Sequence, residues 1–210
     1  MSGAGDVLRE LGRRRVVAVV RAGDPAAAVD AARALAAGGV TAIEITFTTP
    51  GAAEAIADVA LLDGVLVGAG TVTTRAEAEA AVAAGARFLA SPHLSTEALD
   101  AGEESDVLAI PGVFTPTEVA TASKRAPLLK LFPASVGGPG LLAALRGPFP
   151  SLRFMPTGGV TADNARAWLG SGAYVLGAGG DLCSAARIAA GDFAAIERRA
   201  ADYRAAVDGL

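Results

Sequence analysis

Eight short β-branched or aliphatic runs, separated by alanine-rich stretches, are written along this chain. They are VVAVV (16–20), TAIEIT (41–46), VLVGAG (65–70), RFLAS (87–91), DVLAIP (106–111), LLKLF (128–132), RFMPT (153–157) and AYVLGAG (173–179). Runs of this length read as buried strands, and the alanine-rich intervals as helices. Helix starts are marked by Asp24 before Pro25, by Thr74 with Glu77, and by Thr115, Pro116 and Glu118, the last two at capping-box spacing. Gly38, Gly85 and Gly172 mark stops. Phe193, Ile196, Ala200, Tyr203 and Val207 recur at intervals of three and four, which turns one apolar face of a final helix toward a core. Eight βα units in 210 residues point to a compact α/β fold, a (β/α)8 TIM barrel, with a short N-terminal helix from about residue 5 to 13. An open doubly wound sheet is the rival; the short chain and the regular spacing of the pairs favour closure.

With 52% hydrophobic residues, the chain can bury one full core and is short for two, so residues 1–210 read as a single barrel domain. Net charge is −4 and the basic residues are scattered, which supplies no positive stripe for nucleic acid or an anionic membrane. The one basic cluster, Arg13 to Arg15, ends the amphipathic opening segment, where cations favour a helix C-terminus; it reads as a solvated helix end. No apolar run escapes Gly, Pro or charge for the roughly 18 residues of a membrane span, and the N-terminus lacks a signal peptide's apolar stretch. Cys183 is the one cysteine, so it forms no intrachain disulfide and suits a reducing compartment. The expectation is a cytoplasmic protein, with Cys183 as a small core residue.

One of only two lysines, Lys130, lies inside the apolar run LLKLF. An ammonium there costs several kcal/mol unless it is paired or gives up its charge. Strand side chains alternate in and out, and barrel chemistry sits at the C-terminal ends of the strands. Leu129 and Leu131 then face helices while Lys130 points inward. Ile43 and Ile45 likewise leave Glu44 inward, and Arg21, Thr71 and Thr157 stand at the ends of the first, third and seventh runs. A lysine, a carboxylate, an arginine and two hydroxyls therefore converge on one mouth. Lys130 and Glu44 alone read as a structural ion pair; together at such a rim they read as functional. Burial and a nearby Arg21 favour the neutral amine, whereas Glu44 favours the ammonium, and the sequence leaves that balance open. A neutral lysine suits attack on a ketone to form an iminium. Glu44 then suits the proton transfers that this Schiff-base chemistry requires.

PTGGV (156–160) precedes a helix expected to open at Thr161, and GAGG (177–180) ends the last strand. Gly158, Gly159, Gly179 and Gly180 in those places suit backbone binding of a phosphate. The single His93 reads as a loop residue and Trp168 as packing; with no Cys or His cluster, no metal site is expected.

The stretches IEIT with Glu44, VGAGTV (67–72), SPHL (91–94), PGVFTPTE (111–118), KLFPA with Lys130, GPFP (147–150) and PTGGV resemble, in order and along nearly the whole chain, the KDPG/4-hydroxy-2-oxoglutarate aldolase family, KDPG being 2-keto-3-deoxy-6-phosphogluconate. The resemblance implies a class I, metal-independent and cofactor-free aldolase, usually a homotrimer, that cleaves KDPG to pyruvate and glyceraldehyde 3-phosphate. It implies Lys130 as the Schiff-base lysine, Glu44 as the acid/base, Thr71 against the pyruvate part and Phe132 beside the iminium. Gly158, Gly159, Gly179 and Gly180 match the phosphate end. Two departures stand out. Thr48 occupies a place where many members carry a carboxylate-binding arginine, which assigns the carboxylate to Arg21, as in other members. Gly180 followed by Asp181 replaces a phosphate-binding serine; the lost hydroxyl and the added anion are both expected to weaken phosphate binding. 4-Hydroxy-2-oxoglutarate and unphosphorylated or galactonate-type 2-keto-3-deoxy acids are thus alternative substrates. A non-catalytic phosphate-binding barrel is the alternative of another class.

Overall fold

The computed structural model describes residues 3–208. Helix α1 (Ala4–Arg14) leads into strand β1 (Val16–Val20). Three helix–strand pairs follow: α2 (Pro25–Ala37) and β2 (Ala42–Thr46), α3 (Ala52–Val59) and β3 (Leu66–Gly70), α4 (Arg75–Ala83) and β4 (Phe88–Ala90). Helix α5 (Thr96–Ser105) precedes β5 (Leu108–Ile110) and β6 (Gly112–Val113), and α6 (Pro116–Ala122) precedes β7 (Leu128–Leu131). A 3-10 turn at Ala134–Val136, α7 (Gly138–Arg146), β8 (Arg153–Pro156), α8 (Ala165–Gly170) and β9 (Leu176–Ala178) come next, and α9 (Ala185–Ala189) and α10 (Phe193–Val207) end the described chain.

The helix starts have the chemistry their residues suggest. Asp24 caps α2 by accepting the Ala27 N–H at 2.8 Å, ahead of Pro25 in the first turn. Thr74 with Glu77 and Thr115 with Glu118 close capping boxes on α4 and α6, each satisfying amides that a helix end otherwise leaves unpaired. The Glu118 carboxyl is held below its usual range by the Thr115 and Phe114 N–H groups. The helix expected to open at Thr161 does not. Instead Asn164 Oδ1 accepts the Thr161 N–H at 2.9 Å and Thr161 Oγ1 accepts the Asn164 N–H at 3.2 Å, a side-chain-closed turn that delays α8 to Ala165 and leaves it six residues long.

All ladder pairs are parallel, in a six-stranded sheet of order β5-β4-β3-β2-β1-β9 and a three-stranded sheet of order β6-β7-β8. The fold is thus α/β, the strands being linked through helices as parallel pairing requires. The run DVLAIP holds the single strand β5 and ends at Pro111, which has no N–H to give the ladder; a further short strand, β6, that the runs did not include follows directly. The Pro111 carbonyl still accepts the Lys130 N–H at 2.9 Å, so the chain passes from one sheet to the other at this residue. On the far side a parallel bridge joins Thr157 to Gly177, and the Tyr174 N–H donates to Phe154 O at 2.9 Å.

Alternate strand residues serve two cores. Val17, Ala42, Leu66, Phe88, Leu108, Leu128, Met155 and Val175 pack together with Val7 and Leu11 of α1. The intervening positions, Ile43, Ile45, Leu129 and Leu131 among them, pack against the helices. Cys183 and Trp168 are buried in that outer layer, as expected of packing residues. Among the described residues no helix is long and apolar enough to cross a membrane.

Candidate active site

Strand alternation alone carries Lys130 and Glu44 to one place. In register, Glu44 on β2 lies between Val19 of β1 and Gly68 of β3, while Lys130 on β7 lies between Gly112 of β6 and Met155 of β8. Both are buried, and the Lys130 ammonium donates to Glu44 Oε1 at 3.1 Å. Glu44 Oε2, also buried, has no protein partner. Space for the carboxylate comes from Gly70, the inward residue ending β3: a Cβ there would lie 2.0 Å from Oε1. The Phe132 ring is the next layer, its centroid 5.8 Å from Lys130 Nζ.

Beyond that ring a cleft of about 310 Å3 opens, lined by Arg21, Phe132, Thr157 and the glycines Gly158, Gly159, Gly179 and Gly180. Gly177 makes room for Thr157, whose Oγ1 would be 2.2 Å from a Cβ on that glycine. Thr71 does not line this cleft; it follows Gly70 as a half-buried residue at φ 55°. Gly158 and Gly159 have φ of 91° and 76°, values open to glycine at little cost. No Cβ at Gly180 would meet anything within 4 Å. His93 is exposed, and its carbonyl accepts the Gly112 and Ser95 N–H groups, a structural loop position. Among the described residues, no group of three His, Cys, Asp or Glu is placed to hold a metal ion.

Two arrangements here were not legible in the sequence. Arg21 is exposed, and its Nε donates to Thr48 Oγ1 at 2.7 Å; Thr48 Oγ1 is 2.9 Å from Thr46 Oγ1, which donates to Val20 O at 3.1 Å. Among the described residues no carboxylate pairs with Arg21. Asp181, expected to project an unwelcome charge toward an anion, does line the cleft, but its carboxylate is held by side chains of α10. Arg199 of α10 grips it with Nε and Nη2 at 3.1 and 2.9 Å, and Tyr203 Oη lies 2.9 Å from the same carboxylate. Burial would raise the Asp181 carboxyl, but the hydrogen bonds from Arg199 and Tyr203 outweigh it and hold the group below its usual range. The nearby Cys183 thiol, with Sγ 3.4 Å from Val19 O, is pushed up to about 12 by burial and is no nucleophile.

A model of the family described as KDPG and KHG aldolase matches residues 7–199. The chain belongs to the KDPG and KHG aldolase family. Its relatives include 2-dehydro-3-deoxy-phosphogluconate aldolase of Treponema pallidum (strain Nichols), 37% identical over 193 residues, 90% of this chain and 92% of that protein. The KHG/KDPG aldolase of Escherichia coli (strain K12) is 37% identical over 185 residues, 87% of this chain and 85% of its own. Among solved structures, KDPG aldolase of Legionella pneumophila, with pyruvate captured at low pH as a covalent carbinolamine intermediate, superposes with a TM-score of 0.86 at 32% identity, covering 95% of this chain and 97% of that one. As a KDPG and KHG aldolase family member the chain is a carbon–carbon lyase, which removes the ground for a ligand-binding fold without catalysis.

Proposed function

We propose that the chain is a class I aldolase that cleaves KDPG to pyruvate and glyceraldehyde 3-phosphate, with Lys130 as nucleophile and Glu44 as acid and base. The observation that carries this reading is the buried Lys130–Glu44 contact of 3.1 Å beside a cleft lined by Arg21, which pairs with no carboxylate among the described residues. The carbinolamine trapped in the Legionella relative supports the same chemistry.

The steps follow from those groups. Lys130 first passes its extra proton to Glu44; the neutral amine then adds to the C2 carbonyl, whose oxygen takes that proton from Glu44 to give a carbinolamine. A second proton expels the hydroxyl as water, leaving an iminium. Glu44 then takes the C4 hydroxyl proton as the C3–C4 bond breaks; its electrons flow to the iminium nitrogen, and the aldehyde departs from an enamine. Protonation at C3 and hydrolysis release pyruvate and regenerate the amine. The second Glu44 oxygen, which no protein group engages, is the one available to exchange protons with a water or the substrate hydroxyl. The iminium itself is the electron sink, so these steps require no metal or cofactor.

Arg21 holds the substrate carboxylate, Thr71 and Phe132 flank the pyruvyl part, and Thr157 offers a hydroxyl to the chain beyond it. Gly158, Gly159, Gly179 and Gly180 receive the phosphate through their backbone. Asp181 is neutralised by Arg199, so it does not oppose that anion as its charge alone suggests; the missing side chain at Gly180 keeps 4-hydroxy-2-oxoglutarate and unphosphorylated or galactonate-type acids in the substrate panel. The fold behind the site is one domain over 1–210, the two sheets forming a closed eight-stranded barrel in which β5 and β6 count as one strand broken at Pro111. A cytoplasmic homotrimer is the state the family resemblance implies, and a molar mass from light scattering tests it.

Incubation with pyruvate and borohydride, followed by peptide mass spectrometry, should place a reduced adduct on Lys130; an unmodified Lys130 overturns the mechanism. Comparison of kcat/KM for KDPG, its unphosphorylated analogue and 4-hydroxy-2-oxoglutarate identifies the substrate.

A further inference from the structure

We propose that Thr48 is a positioning residue: with Thr46 it forms a directed hydroxyl relay that aims Arg21, and this aim makes the site select 2-keto acids over their uncharged esters. The inference rests on the assignment of Arg21 to the substrate carboxylate.

The direction of the relay follows from counting protons. Val20 O can only accept, so the single Thr46 hydroxyl proton is committed to it at 3.1 Å. The Thr46–Thr48 contact of 2.9 Å must then be donated by Thr48. That leaves the Thr48 oxygen to accept the Arg21 Nε–H at 2.7 Å. Each hydroxyl gives one proton and receives one, and the geometry permits no other assignment of the three bonds. The relay starts on the Arg21 side chain, crosses the end of β2 and returns to the carbonyl of Val20, the residue before Arg21. A second bond fixes the backbone beyond: the Ala22 N–H donates to Thr49 Oγ1 at 3.1 Å. The arginine is thus braced by Thr48 and Thr49 of the turn just after β2, although its own side chain is exposed.

The consequence is chemical. Nε is occupied, so the edge with Nε and one Nη is closed to a ligand, while the end-on edge with both Nη groups stays available. That edge matches the two oxygens of a carboxylate. An untethered arginine would instead sample many rotamers and have to be ordered by the substrate itself. Valine in place of Thr48 removes both hydrogen bonds at similar volume; serine restores them without the methyl group.

The test measures borohydride-trapped Lys130 adduct against concentration for pyruvate and for methyl pyruvate, which keeps the ketone and loses the charge. For Thr48→Val the half-saturating pyruvate concentration should rise about tenfold, the size of a lost hydrogen bond to a charged group, with the maximal trapping rate and the methyl pyruvate curve unchanged. Thr48→Ser should restore the wild-type acid-to-ester preference, and Arg21→Met should abolish it. Wild-type behaviour of Thr48→Val, or an equal loss for acid and ester, overturns the relay while Arg21→Met still loses its preference. An Arg21→Met protein that keeps the preference overturns the carboxylate assignment itself. Thermal melts of each variant confirm that the comparison is between folded proteins.

Discussion

Two opposite charges buried 3.1 Å apart are worth little as a stabilising device and much as a chemical one, because desolvation of both ions offsets most of their attraction. Removing one partner should therefore harm the protein more than removing both. Glu44→Gln is expected to cost about 3–5 kcal/mol by leaving an ammonium without its counter-ion. The Glu44→Gln, Lys130→Met double variant should melt at a higher temperature than the single one; if it does not, the pair is not electrostatically coupled as described. Lys130→Arg, which keeps a charge but removes the accessible amine, should fold and show neither cleavage nor trapped adduct. Gly70→Ala tests the space the carboxylate occupies. With a methyl carbon 2.0 Å from Oε1 the Glu44 carboxylate must move, and turnover should fall at least tenfold while the fold persists; undiminished turnover would show that its position is not required. Parity made Lys130 and Glu44 readable before any coordinates, since alternate residues of a strand face opposite sides. Parity does not report how far a long side chain reaches or what it meets, which is why the partners of Arg21 and Asp181 emerged only in three dimensions.

At the scale of single elements, local chemistry wrote three helix starts into the sequence. The capping residues Asp24, Thr74 and Thr115 act where their spacing places them. What misled was competition between neighbouring side chains, as Asn164 closes a turn on Thr161 and postpones α8; the two-residue β6 beyond Pro111 is too short to show as a run. The α6 box gives a pH-dependent prediction. Because Glu118 is depressed when folded, its contribution is present above the ordinary carboxylate range and is lost as pH falls through the lower folded value. Wild type and Glu118→Gln should thus differ in melting temperature at pH 7 and converge as the solution is acidified below about pH 4, near the ordinary glutamate pKa. Thr115→Ala should cost about 0.5–2 kcal/mol at neutral pH, as lost N-caps do.

For the whole molecule, the last helix closes on α1, on the end of α2 and on the loop after β8. Arg204 donates to Arg14 O at 2.6 Å, Tyr203 Oη lies 2.9 Å from Val160 O, and a Cβ at Gly38 would come within 2.3 Å of Glu197 O. Gly38→Ala should accordingly push α10 off α2 and lower the melting temperature, a result that denaturant titration would register as a reduced midpoint. Beneath Lys130, Leu128, Met155 and Phe88 pack with Val7 and Leu11 of α1, so the inner face is plugged at the end away from the cleft. On the proposed mechanism, reactants and products then share the doorway at the cleft. There the aldehyde, no longer tethered, leaves before water releases the fragment still bonded to Lys130. Pyruvate should inhibit competitively against the intact substrate and the aldehyde noncompetitively, the pattern of a pocket emptied from the front.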